Sequence, residues 1–226
     1  MTAKNPGMAA LYEQWKDCTQ CALHLKRRQT VFASGNGIDP KVFIIGEAPG
    51  PEEDKKGLPF IGTTGQLLRL NLRRAGIDPD KDAFITNAVM CFPTNDGKDF
   101  RGPLGSELLA CRPRLDQQFR MVRPTVQAVI LLGKRAAATL LYGKLLRDPE
   151  GKLNAEKGWS AIKMQNILGW YDKLPPGFPK VYVTYHPSYI ARIGANESNP
   201  EVVAWQEDLK AVGEYALKGN FTEPRG

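Results

Sequence analysis

Four short, predominantly apolar stretches rich in β-branched residues punctuate the chain: Val42-Phe43-Ile44-Ile45, Phe84 to Val89, Ala128 to Leu132 and Val181 to Tyr185. Each is stopped at a glycine, cysteine or histidine, which reads as a buried strand meeting a loop. Between them apolar residues recur at helical spacing. Gly65 continues through Leu72 to Ala75, and a helix from about Ser106 carries Leu108, Leu109, Cys111, Leu115 and Phe119, with Ser106 as N-cap. Further helices are expected over Lys134 to Leu141 and about Pro200 to Leu217, and one before Cys18 on Leu11, Tyr12 and Trp15. Val31 to Gly37 reads as a short strand and turn. The span 142–179, charged and broken by Gly and Pro, with Trp159 and Trp170 scattered through it, reads as an irregular excursion with a short helix or a hairpin. Strands alternating with helices imply an α/β fold with a parallel sheet covered on both faces. No repeat or low-complexity linker divides residues 1–226, so a single domain is expected.

The first strand opens onto the most distinctive stretch, Gly46-Glu47-Ala48-Pro49-Gly50-Pro51-Glu52-Glu53-Asp54, running on to Leu58-Pro59-Phe60-Ile61-Gly62. Ligands of open α/β sheets sit beyond the carboxyl ends of the strands. Here that position offers a carboxylate, Glu47, and an aromatic ring, Phe60. A carboxylate for chemistry and a ring for stacking suit a flat, polar substrate.

Composition adds less. With 226 residues and 42% hydrophobic content the chain can bury a sizeable core, and no apolar run is long enough to span a membrane. The first twenty residues are polar and charged with no signal-like core, which points to a cytoplasmic protein. A net charge of +7 fits an anionic partner such as nucleic acid, and Lys26-Arg27-Arg28 is a local basic cluster.

Four cysteines remain: the Cys-x-x-Cys pair Cys18 and Cys21, and the distant Cys91 and Cys111. Disulfides are not expected in a reducing compartment. Four thiolates can hold zinc or a [4Fe–4S] cluster. Zinc ribbons usually show a second close pair, and these last two ligands are widely spaced, which favours the cluster over zinc and over free thiols.

Taken together these features resemble the iron–sulfur uracil-DNA glycosylases known as family 4 of the uracil-DNA glycosylase superfamily. The resemblance spans roughly Cys18 to Arg192. It rests on Gly46 to Gly50 with Glu53-Asp54, on Gly57 to Gly62, on Thr86 to Cys91, on Cys111-Arg112-Pro113 and on His186-Pro187-Ser188. It implies a three-layer α/β/α fold with a central, mostly parallel four-stranded sheet, and a [4Fe–4S] cluster held by Cys18, Cys21, Cys91 and Cys111. The implied reaction is hydrolysis of the N-glycosidic bond of uracil in single- or double-stranded DNA, leaving an abasic site. Phe60 would stack the flipped base and Asn87 would read its edge, with Gly46 also in the uracil pocket. His186 would donate to the departing base, and Glu47 would act on water or on the sugar cation. Ser188, Ile190 and Arg192 would face DNA, with Ile190 as a wedge into the duplex. A monomer with an intracellular, nucleoid-associated location and a replication or repair protein partner completes the expectation.

Singly, Glu47 could be a loop acid, Phe60 a core residue, Asn87 a strand-end hydrogen bonder and His186 an ordinary buried histidine. Their co-occurrence at separate strand ends is what carries the reading. Thr64 and Phe92 depart from the family pattern without removing chemistry, and no Lys stands where a lyase would need one. The rivals are a catalytically weak DNA-binding or polymerase-associated module of the same fold, and a zinc-stabilised nucleotide or nucleoside hydrolase.

Overall fold

The computed structural model describes residues 5–145, 163–171, 174–194 and 196–222. In chain order the elements are α1 (Pro6–Trp15), β1 (Ser34–Gly35), β2 (Val42–Gly46), α2 (Pro51–Lys56), α3 (Thr63–Arg74), β3 (Ala83–Asn87) and α4 (Gly105–Val122). There follow β4 (Ala128–Leu132), α5 (Gly133–Leu145), β5 (Gly169–Tyr171), β6 (Lys180–Thr184), α6 (Pro187–Arg192) and α7 (Pro200–Lys218).

The strands form one sheet in the order β1-β3-β2-β4-β6-β5. The four expected strands, β3, β2, β4 and β6, are its parallel centre. Short antiparallel strands, β1 beside β3 and β5 beside β6, extend it to six. Alternation within each apolar run builds the layers. Phe43, Ile45, Val129, Leu131, Val181 and Val183 face one side, joining a core with residues of α1, α4 and α5. Val42, Ile44, Ile85, Ile130, Leu132 and Tyr182 face the other, against residues of α3, α6 and α7. The result is three layers, α/β/α.

Helix α2 was not expected, and several element bounds shift by a few residues from the expected ones. Helix α4 begins at Gly105, with Leu104 rather than Ser106 at the N-cap. Glu107 explains the shift: its Oε2 accepts the Leu104 N–H at 2.7 Å, while its carboxylate pairs with Arg101. The excursion over 142–179 is described only in part. Its described portion contains a short 3₁₀ turn at Met164–Asn166 and the β5–β6 hairpin. Trp159 lies outside the described residues; Trp170 is on β5 and meets Tyr182 edge-on at 4.9 Å. Among the described residues no helix is long and apolar enough to cross a membrane.

The connections fix where a site can form. After β2 the chain turns to the α3 side; after β4 it turns to the α5 side. Adjacent parallel strands whose connections leave on opposite faces open a crevice at their carboxyl ends.

Candidate active site

A cavity of about 520 Å³ occupies that crevice. Its walls come from the ends of all four central strands: Glu47 after β2, Asn87 at the end of β3, Arg135 after β4 and His186 after β6, with Phe60 from the loop before α3.

Phe60 is held under constraint. It is the non-glycine residue with positive φ (55°) among the described residues, a conformation that costs about 1–3 kcal/mol. Surrounding contacts hold it there. Gly65 allows α3 to lie against the Phe60 backbone, since a Cβ at 65 would sit 2.1 Å from the Phe60 carbonyl carbon. Arg69 Nε donates to the Phe60 carbonyl at 3.0 Å. The buried carboxylate of Glu53 accepts from Ile61 N at 3.0 Å and Gly62 N at 2.8 Å through Oε1, and from Gly50 N at 3.1 Å through Oε2. Glu53 therefore clasps the two halves of the glycine-rich loop together. It was legible only as part of the motif, because an acid at helical position N3 gives no apolar signal.

Asn87 and Gly46 are register partners on β3 and β2. A Cβ at 46 would lie 2.3 Å from Phe60 Cζ and 2.4 Å from Asn87 Oδ1, so glycine is what lets the ring and the amide converge. Asn87 Oδ1 is buried without a hydrogen-bond partner, and so is His186 Nε2. Buried polar atoms are normally paired, and two orphans lining one cavity mark where a polar ligand would be received.

His186 is the N-cap of α6, and its tautomer follows from that position. The Ser188 backbone N–H donates to His186 Nδ1 at 3.2 Å, and Ser188 Oγ lies 2.8 Å from the same nitrogen. An Nδ1 that accepts leaves the proton of a neutral imidazole on Nε2, facing the cavity. Burial, reinforced by Arg192, lowers the pKa to about 4, so the ring is neutral at physiological pH.

Glu47 is half-buried, and Arg135 Nη1 donates to its Oε1 at 2.8 Å. Burial pushes the carboxyl above its ordinary value, and the Arg135 charge and hydrogen bond oppose the rise. Arg135 was not anticipated; the basic pair Lys134-Arg135 after the strand-ending Gly133 was the available signal. Ser188 and Arg192 also line the cavity. Ile190 does not. It is 0% exposed within the core beneath α6, so the expectation of a DNA wedge is corrected: the side chain that alternates inward on this short helix has no surface to present.

All four cysteines are free thiols. Cys91 and Cys111 are buried in the core on the α4 side, and Cys18 and Cys21 pack against the same core. Burial raises the Cys21 thiol and pushes Cys91 up to about 12, with Arg27 opposing the latter. Arg27 Nη1 donates to Cys18 O at 2.7 Å and to Cys91 Sγ at 3.2 Å. As the side chains stand, no group of three or more His, Cys, Asp or Glu among the described residues is placed to hold a metal ion. The donor chemistry nevertheless fits an iron–sulfur cluster: four thiols from three segments meet one core, and an arginine N–H is already directed at a sulfur.

The sequence profile of the uracil DNA glycosylase superfamily matches residues 32–210. The chain belongs to this superfamily. Among curated proteins it is 36% identical over 212 residues to the type-4 uracil-DNA glycosylase of Thermotoga maritima, covering 93% of this chain and 95% of that one. It is 35% identical over 184 residues to the type-4 uracil-DNA glycosylase of Pyrobaculum aerophilum, covering 80% and 83%. With the corresponding protein of Saccharolobus solfataricus it shares 36% over 206 residues, covering 89% and 83%. As a superfamily member the chain has its cavity-lining residues inside the matched span, and Cys18 and Cys21 before it.

Proposed function

We propose that the protein is a monofunctional uracil-DNA glycosylase that hydrolyses the N-glycosidic bond of uracil in DNA. The observation that carries the reading is the pair of orphaned polar atoms, Asn87 Oδ1 and His186 Nε2, in a cavity shared with Phe60 and Glu47. An acceptor and a donor in that arrangement complement uracil, which presents N3–H and carbonyl oxygens.

Extrusion of the nucleotide places the base against the Phe60 ring. Asn87 Oδ1 accepts from uracil N3–H, and cytosine, which carries an acceptor at N3, leaves that oxygen facing a lone pair. As the C1′–N1 bond breaks, its electron pair passes to the base. His186 Nε2–H donates to the carbonyl oxygen on which negative charge accumulates, and a neutral imidazole is enough for that role. Glu47 faces the sugar, where its carboxylate stabilises the cationic carbon and takes the proton of the attacking water. The products are free uracil and an abasic site. Ser188 and Arg192 at the rim contact phosphate.

Cys18, Cys21, Cys91 and Cys111 would hold a [4Fe–4S] cluster, which when bound orders the segments that carry its ligands. Single- and double-stranded uracil DNA are both substrates in this reading. The protein acts as a monomeric, intracellular, DNA-associated repair enzyme on one domain, open to a replication or repair partner. Mass-spectrometric detection of free uracil after incubation with uracil-bearing DNA tests the proposal; DNA that keeps its uracil with cluster-loaded protein would overturn it.

A further inference from the structure

One buried cation has no counter-ion among the described side chains. Arg114 is 0% exposed and stands one helical turn after Cys111 on α4, so the two share a helix face. Its two Nη atoms donate to neutral oxygens. Nη2 donates to the carbonyls of Asn87 at 2.8 Å and Ala88 at 3.0 Å; Nη1 donates to Thr86 Oγ1 at 3.0 Å and Gln118 Oε1 at 2.6 Å. Nε is buried with no hydrogen-bond partner. Ion pairs among the described residues involve other arginines and lysines. A buried charge is tolerated only when something compensates it. One turn back on the same face of α4 stands Cys111, and Cys91 and Cys18 lie at the same core.

The carbonyls it grips belong to the strand end that builds the base pocket. Ala88 N–H donates to Gly46 O at 2.9 Å and Val89 N–H to Glu47 O at 3.3 Å. The peptides that carry Asn87 are thus held from the β2 side by hydrogen bonds to the catalytic loop and from the α4 side by Arg114.

We infer that Arg114 is a positioning residue that ties the cysteine centre to the base-reading end of β3: it stands one turn after Cys111 on α4, and its fork fixes the peptides that orient Asn87. This rests on the reading of the four cysteines as cluster ligands and of Asn87 as the base reader. A guanidinium serving only as a hydrogen-bond donor to carbonyls would satisfy the same distances, and its removal would leave the electronic state of the centre unchanged.

The test uses the cluster-loaded full chain as wild type, Arg114→Met and Arg114→Lys. Two quantities are measured without reference to activity: the reduction potential of the cluster and the hydrogen-exchange rates of the Ala88 and Val89 amides. A cation beside the cluster favours the added electron. Arg114→Met is therefore expected to shift the potential to a more negative value, and Arg114→Lys, which keeps the charge, to leave it near wild type. Both variants lose the fork, and both should exchange Ala88 and Val89 amides at least tenfold faster. An unchanged potential in Arg114→Met, or unchanged exchange in either variant, overturns the inference. Where Arg114→Met does not fold, the lysine variant decides it through exchange alone. A wild-type protein that binds no iron overturns the inference too, whereas failure to release uracil strikes only the proposed activity.

Discussion

The ring of Phe60 closes on Gly46 so tightly that a methyl group at 46 would lie 2.3 Å from its Cζ. Gly46→Ala is thus expected to push the ring or the Asn87 amide out of place without unfolding the protein. Overpacking of this kind costs about 1–3 kcal/mol, which at the base-binding step is roughly a ten- to hundredfold loss in kcat/KM. Steady-state kinetics on a uracil oligonucleotide, with circular dichroism as the fold control, measure both.

His186 is expected to show no inflection near its ordinary pKa of about 6.5 in the pH–rate profile, because it is already neutral there. Its folded pKa of about 4 lies below the unfolded value. The unfolded chain therefore binds the extra proton first, and the stability associated with a neutral His186, full above about pH 6.5, is lost as pH falls toward 4. Denaturant titrations across that window should show wild type losing stability that His186→Asn does not lose. In kcat the loss of the Nε2 donor should cost about 10²–10³-fold.

Glu47 is expected to supply the acidic limb of the pH–rate profile. Its carboxyl is raised by burial and restrained by Arg135, so Arg135→Met should move that limb to higher pH. Glu47→Gln should abolish the limb together with most of the turnover. An unmoved limb in Arg135→Met would contradict the assignment.

Glu53 accepts three backbone N–H bonds across the glycine-rich loop. Glu53→Ala leaves those donors unpaired, at about 1–3 kcal/mol for each buried group that water cannot reach. Thermal melts should fall, and KM should rise as Phe60 loses its fixed backbone.

Asn87→Asp replaces the amide donor with a second acceptor. Uracil release should weaken and discrimination against cytosine should relax; wild-type selectivity in this variant would sink the role given to Asn87.

The parallel core was readable because its strands are buried on both faces and therefore appear as apolar runs. Helix α2 was not, since Pro51-Glu52-Glu53-Asp54-Lys55-Lys56 has no apolar period. Its signal lay in end chemistry: Pro at the start, acids in the first turn, lysines in the last, and Gly57 at φ 73° as cap. Ile190 was misplaced because α6 is short, and six residues do not reveal which side chain turns inward. Glu47, Asn87 and His186 were legible as strand-end residues with suitable chemistry, and Phe60 as a ring in the loop before a helix. Arg114 and Arg135 were not, because a basic residue on a helix reads as solvated until the fold shows what it touches.

A gel assay on end-labelled DNA bearing one uracil, treated with alkali to cut abasic sites, tests the central claim most directly. Wild type and Glu47→Ala are compared on uracil, cytosine and thymine strands. The account predicts cleavage at uracil alone, lost or much reduced in the variant. Intact uracil strands with cluster-loaded wild type, or equal cleavage by Glu47→Ala, would contradict it.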